Sequence, residues 1–252
     1  EELLTLEQQM KLMEKILSKK NLEMAIRKVK QNKGAPGVDK MTVYEIEDWF
    51  NQYKEEIISK IMNKQYRPMP VKRVYIPKPN GKQRPLGIPT VVDRVIQQAM
   101  LQVLTEIYEP IFSEHSFGFR PRRSAHMAME EVLQYLNEGD KWIEKFFDTV
   151  NHDKLISILR ENVNDATTLH LIRAYLRAGV LDNGLIKSTT VGSPQEGPIS
   201  VILSNIYLDK FDKEVESRNL RFVRYADDCI IFTKSEMSAN RVMKSVTSWL
   251  ER

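Results

Sequence analysis

Apolar residues in the first sixty positions recur every three or four residues, the spacing that puts one face of a helix into a core. Leu6, Met10, Met13 and Leu17 form one series; Leu22, Ala25, Ile26 and Val29 form the next, which Gly34-Ala35-Pro36-Gly37 stops. Thr42, with Glu45 three residues on, has the capping-box pattern ahead of a stripe of Ile46, Trp49, Phe50, Tyr53, Ile57 and Ile61. The pattern then changes. Val71 to Ile76 reads as a strand, and Pro77-Lys78-Pro79-Asn80-Gly81-Lys82 reads as the turn of a hairpin, because Asn-Gly is a strong hairpin signal. A buried helix is predicted from Thr90, where Asp93 completes a cap and Val95, Ile96, Ala99, Met100, Val103, Leu104 and Ile107 line one face. Another helix falls around Met127 to Leu136. Trp142-Ile143 then begins a strand, followed by a turn and a helix carrying Leu155, Ile158 and Leu159 that Asn151 can cap. Pro198 suits the first turn of a helix with Ile199, Ile202, Leu203, Ile206 and Tyr207 on one face. Last, Phe222 to Ala226 and Cys229 to Phe232 are β-prone runs separated by Asp227-Asp228, a hairpin with carboxylates at its tip.

Composition narrows the class. At 252 residues, 42% hydrophobic and 29% charged, the chain can bury one sizeable core or two small ones and is too polar for a membrane protein. No apolar run approaches the ~20 residues of a transmembrane helix, and Glu1-Glu2-Leu3-Leu4 does not resemble a signal peptide. One cysteine, Cys229, excludes a disulfide scaffold and a zinc ribbon, so a reducing, cytoplasmic location is expected. The absence of an initiator Met and the stop at Arg252 suggest a fragment of something longer.

Lys plus Arg exceed Asp plus Glu by 38 to 34, a net charge of +4 that permits nucleic acid as a partner without requiring it. The distribution says more. Arg67, Lys72, Arg73, Lys78, Lys82 and Arg84 occur with no acidic residue among them, so the predicted hairpin is electropositive, although a solvated turn would look the same. His115-Ser116-Phe117-Gly118-Phe119-Arg120-Pro121-Arg122-Arg123 has a loop composition suited to stacking on bases and gripping phosphates. Asp227-Asp228 has an ordinary explanation, since Asp is favoured in turns. The chemical alternative is a pair of hard oxygen ligands for Mg²⁺, and two such ions roughly 4 Å apart serve in-line phosphoryl displacement.

Six motifs stand in order along the chain. They are Asn32-Lys33-Gly34-Ala35-Pro36-Gly37-Val38-Asp39, the stretch Ile76 to Thr90, and Ser116-Phe117-Gly118-Phe119-Arg120-Pro121. Then come Phe146-Phe147-Asp148-Thr149-Val150-Asn151-His152-Asp153, Ser193-Pro194-Gln195 and Arg224-Tyr225-Ala226-Asp227-Asp228. With these the chain resembles the reverse transcriptase domain of bacterial group II intron proteins, the maturases. The resemblance implies an α+β, right-hand polymerase-like fold of fingers and palm. It has a helical N-terminal extension and an antiparallel palm sheet packed on helices, and it stops before any thumb, DNA-binding or endonuclease module. Residues 1–92 would form the extension and fingers and 93–150 the first part of the palm. Residues 151–185 would return to the fingers, and 186–252 would supply a truncated second part of the palm.

The resemblance also implies an activity, RNA-directed addition of deoxynucleotides to a DNA 3′ hydroxyl with Mg²⁺. The partners it implies are an RNA template, a DNA primer, deoxynucleoside triphosphates and the intron RNA whose splicing such proteins assist. Residue by residue, Asp227 and Asp228 match the catalytic metal ligands, with Asp227 the more direct. Lys78 and Arg84 match residues that grip the triphosphate, Phe147 the aromatic that crowds a 2′ hydroxyl, and Gln195 the polar residue beside nucleotide and template. Core packing, loop capping and surface charge are the ordinary alternatives for these four. Lys72, Arg73, Arg120, Arg122 and Arg123 are candidate nucleic-acid contacts, as are Lys19, Lys20, Arg27, Lys28 and Lys30 for intron RNA. No membrane is implied, and a homo-oligomer is compatible with the sequence but not indicated by it.

Two departures from the family pattern stand out. The family carries a third metal-binding aspartate five positions before the residue matching Phe147, and here that position is Trp142. The strand also looks clipped, which suggests that about five residues are missing between Ile143 and Glu144. If the ligand is truly lost, a non-catalytic RNA-binding splicing cofactor on the same scaffold is the competing function; a bacterial defence reverse transcriptase is a third. The second departure is Glu196, where the family usually has glycine, which adds bulk and negative charge near a polyanion.

Overall fold

A computed structural model of the chain describes residues 12–77, 79, 81–146, 151–182, 185–187 and 197–250. The chain divides into two compact units, residues 1–107 with 150–200 and residues 108–149 with 201–252.

The first unit is helical with a small sheet. A helical turn over 12–16 leads into helix α1 (Lys19–Gln31), whose Ser18 Oγ accepts from the Asn21 amide and whose buried residues are Leu22, Ala25, Ile26 and Val29, the predicted face. Helix α2 (Ile46–Met62) buries Ile46, Phe50, Ile57 and Ile61. Its start differs from the predicted capping box. The Thr42 amide and hydroxyl both donate to Glu45 Oε2 in a turn ahead of the helix, and Glu45, itself the cap residue, gives no side-chain cap bond. Helix α3 (Val91–Tyr108) is capped where predicted: Thr90 Oγ1 accepts from the Asp93 amide and donates to Asp93 Oδ2.

Strands β1 (Val71–Pro77) and β2 (Gln83–Ile88) form the predicted hairpin, in register from Lys72 opposite Ile88 to Pro77 opposite Gln83, with Gly81 at φ 78° in the turn. Helices α4 (Ala125–Asn137), α5 (His152–Leu159) and α6 (Ala166–Leu176) follow, with α4 in the second unit and α5 and α6 in the first. Ser124, Asn151 and Asp165 cap them, each accepting a bond from a first-turn amide. Short strands β4 (Val180–Asp182) and β5 (Leu185–Lys187) complete a sheet in the order β2-β1-β4-β5, β4 running parallel to β1. Asp93 fastens the root of the hairpin. Its buried carboxylate accepts from Tyr66 Oη (2.6 Å), Tyr175 Oη (3.1 Å) and the Met69 amide (3.1 Å) as well as from Thr90. Burial pushes its pKa up, and these donors stabilise the charged form.

The second unit centres on a three-stranded antiparallel sheet, β3 (Lys141–Phe146), β7 (Asp228–Thr233) and β6 (Arg221–Tyr225), in that spatial order. Helices α7 (Ser200–Ser217) and α8 (Glu236–Leu250) complete it. Strand alternation divides the β6–β7 side chains between two cores. Val223 and Phe232 pack with Phe117, Ala128, Val132 and Tyr135, the last three from α4. Phe222, Cys229 and Ile231 pack with Phe211 and Val215 of α7 and Val246 of α8. A hairpin buried on both faces reads as continuous apolar runs, as this one does.

The expectation of a clipped strand is corrected. β3 has six residues, and Ile143 and Glu144 pair with the consecutive partners Ile231 and Ile230, so Glu144, Lys145 and Phe146 complete it. Among the described residues no helix is long and apolar enough to cross a membrane.

Candidate functional site

Asp227 and Asp228 are exposed at the tip of the β6–β7 hairpin, where Tyr225 pairs with Asp228 and only Ala226 and Asp227 lie between. Among the described residues neither carboxylate has a hydrogen-bond or ion-pair partner, which leaves their oxygens open to a ligand. Partial burial, and then the neighbouring Asp227 charge, raise the pKa of Asp228 above the usual carboxylate value. A cation would relieve that repulsion.

The tip is held from behind. Ala226 sits at φ 57°, a left-handed conformation that L-residues seldom adopt. Arg224, fully buried, spans from Asp212 of α7 to this turn. Its Nε and Nη2 grip the Asp212 carboxylate at 2.7–3.0 Å, while Nη1 donates to Asn205 Oδ1 (2.9 Å) and the Ala226 carbonyl (2.7 Å). Asn205 in turn donates to the Gly118 carbonyl at 2.9 Å. A Cβ on Gly118 would lie 2.2 Å from the Ala226 amide nitrogen, so only glycine fits against the turn. Sequence reasoning named Arg224 within a motif without giving it a role and did not single out Asn205 or Asp212. A signal was present: Arg224 stands between Val223 and Tyr225 inside a β-prone run, and Asn205 and Asp212 stand seven residues apart on a helix, hence on one face.

The loop before α4 is built differently from its predicted role. Ser116 bridges to Arg224, with the Arg224 amide donating to the His115 carbonyl and the Phe117 amide to the Arg224 carbonyl, both at 2.9 Å. Phe117 is core. Arg120 is buried, with its guanidinium on the Glu109 carboxylate and on the Ser113 and Ser116 carbonyls, so it braces the loop and offers no free donor face. Arg123 pairs with Glu114 and lies over the Phe117 ring. Arg122 and Phe119 are exposed.

On the β1–β2 hairpin the register distributes the basic residues over both faces. Lys72 and Arg84 share a face with Val74 and Ile76; Arg73 shares the other with Tyr75, 48% exposed. Among the described residues the Lys72, Arg73 and Arg84 side chains have no acidic partner. Lys19, Lys20, Arg27 and Lys28 are exposed on α1, while Lys30 pairs with Glu47. Lys78, Phe147, Gln195 and Glu196 lie outside the described residues. At the position of the expected third aspartate, Trp142 pairs with Phe232, and the residue opposite Asp228 on β3 is Phe146. No group of three or more His, Cys, Asp or Glu that could hold a metal occurs among the described residues.

Residues 76–252 match the family described as reverse transcriptase (RNA-dependent DNA polymerase), and the chain belongs to that family. Within it, the chain is similar to the group II intron-encoded protein LtrA of Lactococcus lactis subsp. cremoris, 38% identical over 215 residues, covering 82% of this chain and 35% of LtrA. It is 39% identical over 210 residues to protein YkfC of Escherichia coli K12, covering 79% of this chain and 55% of that one. The chain thus spans about half or less of the length of these curated relatives. Among solved structures, a chain of a partial Cas6-RT-Cas1–Cas2 complex superposes over 94% of this chain and 41% of its own length, with a TM-score of 0.59. Its 24% identity makes it a likeness of fold.

Proposed function

We propose that the chain is the reverse transcriptase domain of a group II intron maturase, which extends a DNA primer on an RNA template and binds intron RNA to assist splicing and mobility. The observation that carries this reading is the acidic hairpin tip, two adjacent carboxylates without partners among the described residues in a member of the reverse transcriptase family. Asp227 and Asp228 suit one Mg²⁺, which takes one or two carboxylates and fills its shell with water and phosphate oxygens. Bound there, the ion would polarise phosphoryl oxygens and lower the pKa of an attacking hydroxyl. The protein's own part is to present both carboxylates from a rigid turn. Arg84, with Lys78, would receive the triphosphate, and Phe147 and Gln195 would contact the nucleotide. Lys72, Arg73 and Arg122 would meet nucleic-acid phosphates; Arg120, committed to Glu109, is left out of that surface.

A second reading, a splicing cofactor that binds RNA without polymerising, is favoured by strand β3. Trp142 occupies the expected position of the third carboxylate and Phe146 stands opposite Asp228, so among the described residues no third carboxylate joins the pair. Primer extension on an RNA template with Mg²⁺ separates the two. Extension abolished by Asp227→Asn supports the polymerase. No extension, alongside RNA binding whose affinity falls steeply with salt, supports the cofactor. In either case Arg84→Ala weakens RNA or nucleotide binding without lowering stability, and equal binding would remove Arg84 from the site.

A further inference from the structure

The fold gives the acidic tip a support that runs through side chains, and its parts come from three separate stretches of sequence. Two-residue hairpin loops with a positive φ at their first position usually carry Gly there; this one carries Ala226. Such a conformation in an L-residue persists when its surroundings over-determine it. Here they do so twice, through the Arg224 bond to the Ala226 carbonyl and through the missing Cβ of Gly118 against the Ala226 amide. Arg224 faces α7, on the side of the sheet opposite Tyr225 and Asp228, so it reaches the turn from the core and leaves the carboxylates free.

We propose that Arg224, Asp212 and Asn205 act as a positioning clamp that fixes the direction in which Asp227 and Asp228 leave the sheet. Asp212 orients the guanidinium through a two-pronged ion pair, Asn205 keeps Nη1 in the plane that reaches Ala226, and Asn205 also anchors the Gly118 loop behind the turn. Lysine carries the same charge as Arg224 but lacks the planar fork, so it cannot hold Asp212, Asn205 and Ala226 together. The consequence for function rests on the reading of Asp227 and Asp228 as cation ligands. Two carboxylates share one ion only while the turn that carries them is held.

The test uses the whole chain with Asn205→Ala, which leaves the ion pair intact, and Arg224→Lys, which keeps the charge. Amide exchange of the peptide containing Tyr225 to Asp228 is compared with that of α4, and Mn²⁺ affinity is measured by electron paramagnetic resonance with Asp227→Asn as reference. The clamp predicts exchange at the tip about ten-fold faster in both variants, the scale of one lost hydrogen bond of a charged donor, with α4 unchanged. It also predicts Mn²⁺ affinity weakened about ten-fold in both. Unchanged exchange at the tip in Asn205→Ala, or wild-type behaviour of Arg224→Lys, would overturn it. If Asp227→Asn leaves Mn²⁺ affinity as it was, the cation reading fails, and the exchange measurement still decides the clamp.

Discussion

The two hairpins of this protein have similar lengths and opposite designs. In β1–β2 the strands emerge from the core after Val71, most side chains beyond it are exposed, and Lys72, Arg73 and Arg84 have no acidic partners among the described residues. In β6–β7 the strands pack cores on both faces and both of their arginines have carboxylate partners, Arg221 on Glu138 and Asp140 and the buried Arg224 on Asp212. Among the described residues the tip carboxylates have no partner. One hairpin is anchored at its root by Asp93 and extends outward; the other is braced along its length up to the turn. On the function proposed above, a basic surface would meet a polyanion through long, flexible side chains and tolerate such freedom, whereas carboxylates sharing one small cation would not.

The sharpest way to break this contrast is at Asp212. Asp212→Ala would leave the Arg224 guanidinium buried without its counter-ion, costing about 3–5 kcal/mol of stability in urea unfolding. The same truncation at Glu47, the exposed partner of Lys30, should cost about 1 kcal/mol or less. Next come the glycines at the two turns, Gly118 packed against one from a separate loop and Gly81 inside the other. Gly118→Ala forces backbone against the Ala226 turn, a cost of about 1–3 kcal/mol, and should disturb divalent-cation binding. Gly81→Ala meets no atom within 4 Å, so its cost is only the positive φ, about 1 kcal/mol, with no effect at the acidic tip. Equal losses from the two substitutions would contradict the distinction between a braced and a projecting hairpin.

The smallest effect depends on pH. His115, whose carbonyl is bonded to Arg224, has its imidazole on Glu131, and that bond raises its pKa above the ordinary 6.5. The stabilisation is fully present below pH 6.5 and is lost as pH rises through the raised folded value. Thermal stability should therefore fall slightly across that interval, and His115→Gln should flatten the profile. The effect stays small because the His115 side chain is 37% exposed.

Much of the fold was legible in local pattern. The buried faces of α1 and α3, the caps at Thr90 and Asn151 and the two hairpins follow from periodicity and turn chemistry, which act over a few residues. Pattern was less informative where a partner lies far along the chain. The three-residue strand β4 is defined by its pairing with β1, and β3 looked too short until β7 gave all six residues a register. The candidate site divides in the same way. The acidic tip and the basic hairpin can be read from composition and spacing, but which charges are committed to the fold cannot.

By itself, the sequence determined the helices, the turns and the order of motifs that place the chain among reverse transcriptases, because each depends on neighbours within a few positions. Tertiary structure alone decided that Arg120 braces a loop, that Arg224 clamps a turn, that the Asp93 carboxylate also ties down Tyr66, Met69 and Tyr175, and that Asp212 is structural while Asp227 and Asp228 stay open among the described residues. The physical reason is that a charged side chain is defined by what folding places beside it. The partners of Asp93 lie up to 82 residues away along the chain, beyond the reach of any local pattern.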